Sequence, residues 1–309
     1  MTQNPATGLR YIHVIPSAWG PYVDVRACYE AMAQRYSWIS VVTPEQFEEI
    51  KKTDAYQDAN NFFVQWCQVD PGPKEDRKAT VTLVYSEARA TNEALLLPDH
   101  KREWKRFYEW APRYDAAFGH TPWMVEQVSA AGLPGHLFPL GWDPEVMGSP
   151  RWSVAKQHDI VFYGSKVGKR AFVLPYFHEK LGIYLKDISG MFGRTLTGAL
   201  DTARASLYVA HSDVDSFSTW RLWQTAATSA ALIAEPGDMW PFVYGEHVAD
   251  IPRVTFSNVD EVVDKLNYYI HGNLMQYAER AHELARKFTV DHCVTSYLIP
   301  ASAKIVRKR

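Results

Sequence analysis

The hydrophobic positions along this chain alternate between short apolar runs and longer amphipathic segments. Short apolar, β-branched runs predict strands, because a strand buried on both faces lacks polar alternation. In the first half of the chain such runs occupy residues 11–15, 38–42, 61–67, 80–85, 114–119 and 137–140, and the run at 61–67 fits a strand or a short helix. Helices are predicted at residues 24–35, 99–110 and 121–131, and a further helix opens at Thr43 in capping-box style.

A second alternating series occupies the other half of the chain. Residues 141–158 combine glycine, proline and aspartate without periodicity, which indicates a linker between domains. Beyond this linker, strands are predicted at residues 159–163, 183–188, 206–210, 231–235 and 254–256. Helices are predicted at residues 169–181, 194–203, 219–229, 259–270 and 274–288, with a terminal helix after Asp291.

The regular alternation of strands and helices determines the expected fold class. Strands that alternate with helices form parallel sheets with right-handed crossovers. A chain of 309 residues is long enough for two domains. We therefore expect an α/β protein of two Rossmann-like domains that face a cleft, with domains at residues 1–145 and 146–309.

Composition and charge exclude several classes of function. The hydrophobic share of 47% and the charged share of 22% are typical of a globular protein, and the net charge of −2 argues against a strong overall field for nucleic acid. No apolar run reaches the roughly 18 residues of a membrane span, and the N-terminus lacks the apolar core of a signal peptide. The three cysteines, Cys28, Cys67 and Cys293, show no metal-ligand spacing. Their odd number indicates a reducing compartment, so we expect a cytoplasmic protein.

The segment of residues 211–236 carries the strongest chemical signal. It predicts a strand end, a polar loop, an amphipathic helix and a short apolar strand, with Arg221 near the start of the helix and Glu235 after the strand. In open α/β sheets, ligands bind at the carboxyl ends of strands, beside helix N-termini that attract phosphate. Arg221 is therefore suited to a diphosphate, and Glu235 to a sugar or ribose hydroxyl. His211 ends the preceding strand, and Ser218 and Thr219 could cap the helix or hold phosphate oxygens.

A second candidate segment runs from Phe162 to Arg170. A strand leads into Gly164 and Ser165, where glycine permits a close backbone approach, and Lys169 and Arg170 could add charge-assisted hydrogen bonds to phosphate. A plain strand–turn–helix connection with exposed basic residues fits the same pattern. The segment matches neither the P-loop nor the dinucleotide-binding glycine pattern, which disfavours kinases, ATPases and dehydrogenases.

Taken together, these elements resemble the C-terminal domain of GT-B glycosyltransferases, in particular the group with a CgeB-type or glycosyltransferase family 1-type domain. The resemblance covers roughly residues 115–300. It rests on the strand end Gly164-Ser165, the helix Arg221-Leu222-Trp223-Gln224, the strand from Leu232 to Glu235, and the turn Gly245-Glu246. The resemblance implies a hexosyl- or pentosyltransferase that moves a sugar from a nucleotide-sugar donor, preferably a UDP sugar, to an acceptor hydroxyl.

Two positions depart from the family pattern. The helix glutamate of the family is Gln224 here, which can bond a hydroxyl but cannot act as a base, and Ser229 stands where glycine often occurs. A non-catalytic protein that binds a nucleotide sugar is therefore an alternative. Asp213 and Asp215 form a DxD pair, but such a pair holds a metal in a different glycosyltransferase fold, so we expect no metal and no cofactor beyond the nucleotide sugar as co-substrate.

The acceptor side is expected in the N-terminal domain. Transfer to a hydroxyl needs a base or a substrate-assisted route for its proton. Asp24, Glu87 and His120 follow predicted strands or loops and are the candidate catalytic residues, although the pattern at each position favours a cap, an exposed polar residue or a satisfied histidine. His13, His100 and His136 carry weaker signals.

Residues 100–114 alternate basic and aromatic side chains. Helical spacing predicts an amphipathic helix with an aromatic core stripe, or a platform that holds phosphates and stacks bases. On the second interpretation Lys101, Trp104 and Lys105 bind the acceptor. That acceptor is DNA with hydroxymethylated pyrimidines, as in phage DNA modification, or an anionic lipid or glycan.

Overall fold

A computed structural model describes residues 1–17, 22–67, 69–85, 109–166, 168–181, 185–210, 219–236, 245–255 and 257–307. The chain divides into two units, one formed by Met1–Pro139 and Val290–Arg309 and the other by Leu140–Thr289. Both units contain a parallel sheet with helices, as the strand–helix alternation predicts. The helix predicted at 99–110 lies mostly outside the described residues.

The first unit is built on a six-stranded parallel sheet of order β2-β1-β3-β4-β5-β6. Its strands are β1 (Arg10–Val14), β2 (Ile39–Val42), β3 (Asn61–Gln65), β4 (Thr80–Tyr85), β5 (Ala116–Gly119) and β6 (Gly135–Leu137). Its first helices are α1 (Tyr22–Arg35), α2 (Pro44–Ile50) and α3 (Pro122–Ala130). The capping box at Thr43 is confirmed, because Thr43 and Gln46 cap each other's backbone N–H groups. The alternative helix at residues 61–67 is wrong, because Phe62 and Phe63 pair with β1 and β4.

The second unit is built on a five-stranded parallel sheet of order β11-β10-β9-β7-β8. Its strands are β7 (His158–Phe162), β8 (Leu185–Asp187), β9 (Ala203–Tyr208), β10 (Ala231–Ala234) and β11 (Ala249–Asp250). Its helices are α4 (Pro144–Met147), α5 (Arg170–Leu181), α6 (Gly193–Asp201), α7 (Thr219–Ala226), α8 (Val259–His271) and α9 (Met275–Lys287). Buried side chains of the sheet, α5 and α8 form one hydrophobic cluster on one face.

The predicted strand at 254–256 is wrong over its described part. Among the described residues, the last strand is instead β11, which pairs with β10. The backbone N–H and C=O of Val254 bind the side chains of Glu235 and Lys169, so they are not available to a neighbouring strand. This departure places Val254 beside two residues of the predicted donor site.

The domain boundaries also differ from the predicted 1–145 and 146–309. The second unit begins at Leu140, and the chain returns to the first unit at Val290 through α10 (Val290–Cys293) and α11 (Ile299–Arg307). The Ser302 hydroxyl lies 2.6 Å from the Tyr11 hydroxyl, and Asp291 pairs with Arg35 at 3.3 Å. These contacts bind the C-terminal helices to β1 and α1. None of the described helices is long and apolar enough to cross a membrane.

Candidate functional site

The order of strands in the second unit creates a topological switch point between β7 and β9. These strands are neighbours, yet the chain leaves β7 toward β8 on one side and leaves β9 toward β10 on the other. In open α/β sheets, the two connections diverge at such a point and leave a crevice outside the carboxyl ends of the strands, where ligands bind. A ligand is therefore expected to bind beside the residues that follow Phe162 and Tyr208.

Arg221 lies at this switch point. Its Nη1 donates a hydrogen bond to the carbonyl oxygen of Tyr163, directly after β7. Its Cζ lies 4.3 Å from the ring centroid of Tyr163, and 5.8 Å and 5.4 Å from those of Phe162 and Tyr208. All residues from Leu222 to Ala226 are buried in α7, whereas Arg221 is half-buried at the strand ends. The aromatic rings and the carbonyl hold a half-buried guanidinium in place.

Gly164 makes room for this guanidinium. A Cβ atom at Gly164 would lie 2.1 Å from Nη2 of Arg221, far inside contact distance. The φ angle of Gly164 is +118°, which side chains of L-residues rarely adopt. The Ser189 hydroxyl donates to the Gly164 carbonyl oxygen at 2.9 Å and accepts from its N–H at 3.1 Å, which fixes the turn. Glycine is thus required at this position by both the backbone conformation and the side chain above it.

Arg170 approaches the same aromatic rings from within the protein. It is 2% exposed, and its Cζ lies 5.8 Å and 5.6 Å from the ring centroids of Phe162 and Tyr208. Its Nε donates to the Val209 carbonyl oxygen, and its Nη1 donates to that of Ser165 at 3.3 Å. Two guanidinium groups therefore share one pair of rings, which gives the carboxyl edge of this sheet a concentrated positive charge.

Lys169 and Glu235 form an ion pair beside Arg170. One carboxylate oxygen of Glu235, Oε2, accepts from the Ala210 N–H at 2.6 Å. The other, Oε1, accepts from the Val254 N–H at 2.7 Å and from the Lys169 ammonium group. Burial raises the pKa of Glu235, while the Lys169 charge and the backbone hydrogen bonds act in the opposite direction. The carboxylate is thus held by three groups of the protein itself.

The structure brings together six of the residues predicted to bind the donor, which are Gly164, Ser165, Lys169, Arg170, Arg221 and Glu235. Gln224 is buried in α7 one turn beyond Arg221, and Thr219 begins that helix. His211 and Ser218 lie outside the described residues. Tyr163, Tyr208 and Ser189 were not predicted, because an aromatic residue at a strand end indicates core and a serine after a strand indicates a turn.

Among the candidate catalytic residues, His120 and Asp24 lie in the described part of the first unit. Asp24 is buried in the first turn of α1. Glu87 lies outside the described residues, as do Lys101, Trp104 and Lys105 of the predicted acceptor platform. The roles of all these residues stay predictions. In the part of the chain that the structure describes, no three His, Cys, Asp or Glu side chains are grouped to hold a metal ion.

His120 belongs to an aromatic cluster at the carboxyl edge of the first sheet. Its Nδ1 lies 3.0 Å from the Phe138 carbonyl oxygen, which can only accept, so Nδ1 carries the proton and Nε2 is the basic atom. Its ring stacks on that of Trp66, at 5.9 Å between centroids. Trp66 in turn donates through Nε1 to Nδ1 of His13 at 3.1 Å. Burial lowers the pKa of His120 to about 4 and that of His13 to about 3.

The lowered pKa values of His120 and His13 predict that the stability of the fold depends on pH. Both have a pKa below the ordinary 6.5 when folded, so the unfolded chain binds more protons between pH 4 and pH 6.5. The free energy of unfolding therefore falls as the pH is lowered through this window, by about 1.4 kcal/mol per pH unit for each histidine. In the variant His120→Gln, the amide can still bond Phe138 but does not titrate. Urea unfolding between pH 5 and pH 6 should therefore show a slope of unfolding free energy against pH that is smaller by one histidine's contribution. An unchanged slope would contradict a neutral, buried His120.

Comparison with known proteins identifies the fold. The chain matches no protein-family model, and no curated protein is similar to it in sequence. Among solved structures, it is similar to sucrose-phosphate synthase from Thermosynechococcus elongatus, with a TM-score of 0.66 and 10% identity over 97% of this chain and 100% of that one. Anabaena HepE in complex with UDP-glucose gives a TM-score of 0.63 and 8% identity over 95% and 99% of the two chains.

A third similar structure is longer than this chain. A TarM variant of S. aureus, in complex with fondaparinux, α-GlcNAc-glycerol and UDP, gives a TM-score of 0.55 and 9% identity over 80% of this chain. This chain spans 56% of the length of that protein. At such low identities the similarity shows the fold, which is the α/β fold of GT-B glycosyltransferases with two Rossmann-like domains. The narrower resemblance to CgeB-type and family 1-type domains stays a prediction.

Proposed function

We propose that this chain is a glycosyltransferase that moves a sugar from a nucleoside-diphosphate sugar, preferably a UDP sugar, to an acceptor hydroxyl. The observation that carries the proposal is the Arg221 guanidinium, held over Gly164 at the switch point between β7 and β9. Its hydrogen bond to Tyr163 uses one N–H, and the planar fork has further donors that match two phosphate oxygens. HepE and TarM, whose folds are similar, were solved with UDP-glucose and with UDP.

The chemistry that this arrangement supports is stabilisation of the leaving group. In glycosyl transfer the bond between the sugar and the diphosphate breaks, and negative charge grows on the diphosphate. A guanidinium fixed beforehand by Tyr163 and the surrounding rings meets that charge without reorganising. The buried charge of Arg170 lies near the same rings and increases the local positive potential.

The pKa of His120 bears on which group removes the proton from the acceptor hydroxyl. A general base is most effective when its pKa is close to the working pH, and a pKa of about 4 makes His120 a weak base. Its neutral Nε2 is better suited to orient a hydroxyl by accepting a hydrogen bond. A substrate-assisted route, in which an oxygen of the departing diphosphate takes the acceptor proton, needs no protein base. Loss of acceptor transfer with unchanged UDP affinity is the signature expected of such an orienting residue.

A second candidate function is nucleotide-sugar binding without transfer. The observation that favours it is Gln224, an amide buried in α7 at the position of the family glutamate. An amide can hold a hydroxyl but cannot carry compensating charge. A protein of this kind would bind UDP and UDP sugars while leaving them intact.

Ligand-induced stabilisation tests the proposal. UDP and UDP-glucose should raise the melting temperature, because a ligand at 100 times its Kd stabilises a folded protein by about 2.7 kcal/mol. Uridine should have little effect, since it lacks the diphosphate. NMR of UDP-glucose then distinguishes a glycosyltransferase from a protein that only binds the donor. A glycosyltransferase slowly hydrolyses UDP-glucose to UDP and glucose, whereas a binding protein leaves it intact. A melting temperature insensitive to every nucleoside diphosphate would contradict both candidates.

A further inference from the structure

Two basic side chains at the carboxyl edge of the second sheet, those of Lys169 and Arg170, are directed into the protein. Lys169 and Glu235 have side-chain exposures of 11% and 0%. The Lys169 ammonium group donates to Glu235 and, at 3.0 Å, to the Val254 carbonyl oxygen. Its charge is thus neutralised within the fold. Arg170 likewise donates to the backbone carbonyls of Val209 and Ser165.

Glu235 makes two hydrogen bonds to the backbone at the end of β9, one to Tyr208 and one to Ala210. Its own backbone N–H donates to the Tyr208 carbonyl oxygen at 3.1 Å, and its carboxylate accepts from the Ala210 N–H at 2.6 Å. Tyr208 carries one of the rings that surround the Arg221 guanidinium, with 5.4 Å between Cζ and the ring centroid. Glu235 therefore holds the backbone that carries Tyr208, whose ring is one of the three around the Arg221 guanidinium.

The same carboxylate connects four parts of the unit. Lys169 precedes α5, Ala210 follows β9, Glu235 follows β10, and Val254 lies beyond β11. A fully buried carboxylate with both oxygens bonded in this way has no surface left for a sugar hydroxyl. Removing either charge alone would leave the other buried and unpaired, which is strongly destabilising, whereas replacing both with apolar groups can be nearly neutral.

We infer that Glu235 is a positioning residue, which holds the end of β9 so that Arg221 meets the diphosphate, that Lys169 neutralises the charge of Glu235, and that neither residue touches the donor. This inference rests on the proposed function, because it assigns the roles of residues around the same site. It revises the prediction from sequence that Glu235 binds a sugar or ribose hydroxyl and that Lys169 binds phosphate. Of the basic residues Lys169, Arg170 and Arg221, Arg221 is the donor ligand.

The test compares Lys169→Met, Glu235→Leu and the double variant in calorimetry with UDP and with UDP-glucose, at a temperature where each variant is folded. Lys169→Met should lose less than threefold in UDP affinity, because Glu235 still holds Ala210 and Val254. Glu235→Leu should lose about tenfold for UDP and for UDP-glucose alike, because the edge moves while no sugar contact is lost. The double variant should melt at a higher temperature than Glu235→Leu. Its affinities for UDP and for UDP-glucose should both fall by the same factor, about tenfold, so it keeps the test usable if Glu235→Leu fails to fold.

Each other outcome overturns a stated part of the inference. A loss of about 100-fold in Lys169→Met would make Lys169 a phosphate ligand. A loss for UDP-glucose that exceeds the loss for UDP in the double variant would make Glu235 a sugar ligand, and unchanged affinities would make the pair purely structural. If the wild-type protein binds neither UDP nor UDP-glucose, the proposed function fails, and this inference fails with it.

Discussion

Replacement of Arg221 by alanine is expected to weaken UDP binding about 100-fold. Charge-assisted hydrogen bonds between a guanidinium and phosphate oxygens contribute about 2–3 kcal/mol in a partly buried site, and 2.7 kcal/mol corresponds to two decades in Kd. Calorimetric titration with UDP measures the loss directly. Arg286→Ala is the matched control, because Arg286 is exposed in the last turn of α9 and its removal should leave the affinity unchanged.

The variant Arg221→Lys separates charge from geometry at the same position. Lysine keeps the positive charge but loses the planar fork, the contact with the Tyr163 ring and the simultaneous bond to its carbonyl. We expect a loss of about tenfold, between the wild type and Arg221→Ala. If Arg221→Ala bound UDP as tightly as the wild type, the diphosphate site would have to be elsewhere, and the proposed function would lose the observation that supports it.

Local patterns in the sequence are sufficient to predict Arg221 at the edge of a sheet. Strand–helix alternation predicts the parallel sheet, and the place of Arg221 near the start of the helix after β9 predicts that it lies at the carboxyl edge of that sheet. These signals depend on neighbours within a few residues along the chain. The same is true of the capping box at Thr43 and of the strand Thr80–Tyr85.

The role of Glu235 could not be predicted in the same way. Its partners are Lys169, 66 residues earlier, and Val254, 19 residues later. An acid after an apolar strand has the same local pattern whether it faces a ligand or a buried lysine. The distinction depends on the path of the chain after β11, where the sequence predicts a strand at 254–256 and the described residues 254 and 255 form none. The return of the C-terminal helices to the first unit is likewise a tertiary event, secured by contacts such as that between Ser302 and Tyr11.

Replacement of Gly164 by alanine is expected to weaken UDP binding as much as loss of Arg221 itself. The new methyl group would overlap Nη2 of Arg221, so the guanidinium must leave its place over Tyr163. The positive φ adds a backbone cost of about 1–2 kcal/mol that is independent of this clash. Calorimetry with UDP measures the first effect, and thermal unfolding measures the sum of both effects on stability.

Gly190→Ala is the matched control for the backbone cost. Gly190 also has a positive φ, of +87°, but a Cβ atom there would meet nothing within 4 Å. It should therefore lose stability while keeping its affinity for UDP. In the double variant Gly164→Ala/Arg221→Ala the clash is absent, so its melting temperature should exceed that expected from adding the two single effects. Near-normal UDP binding by Gly164→Ala would mean that Arg221 can bind the diphosphate from another position, and the close approach over Gly164 would then have no part in donor binding.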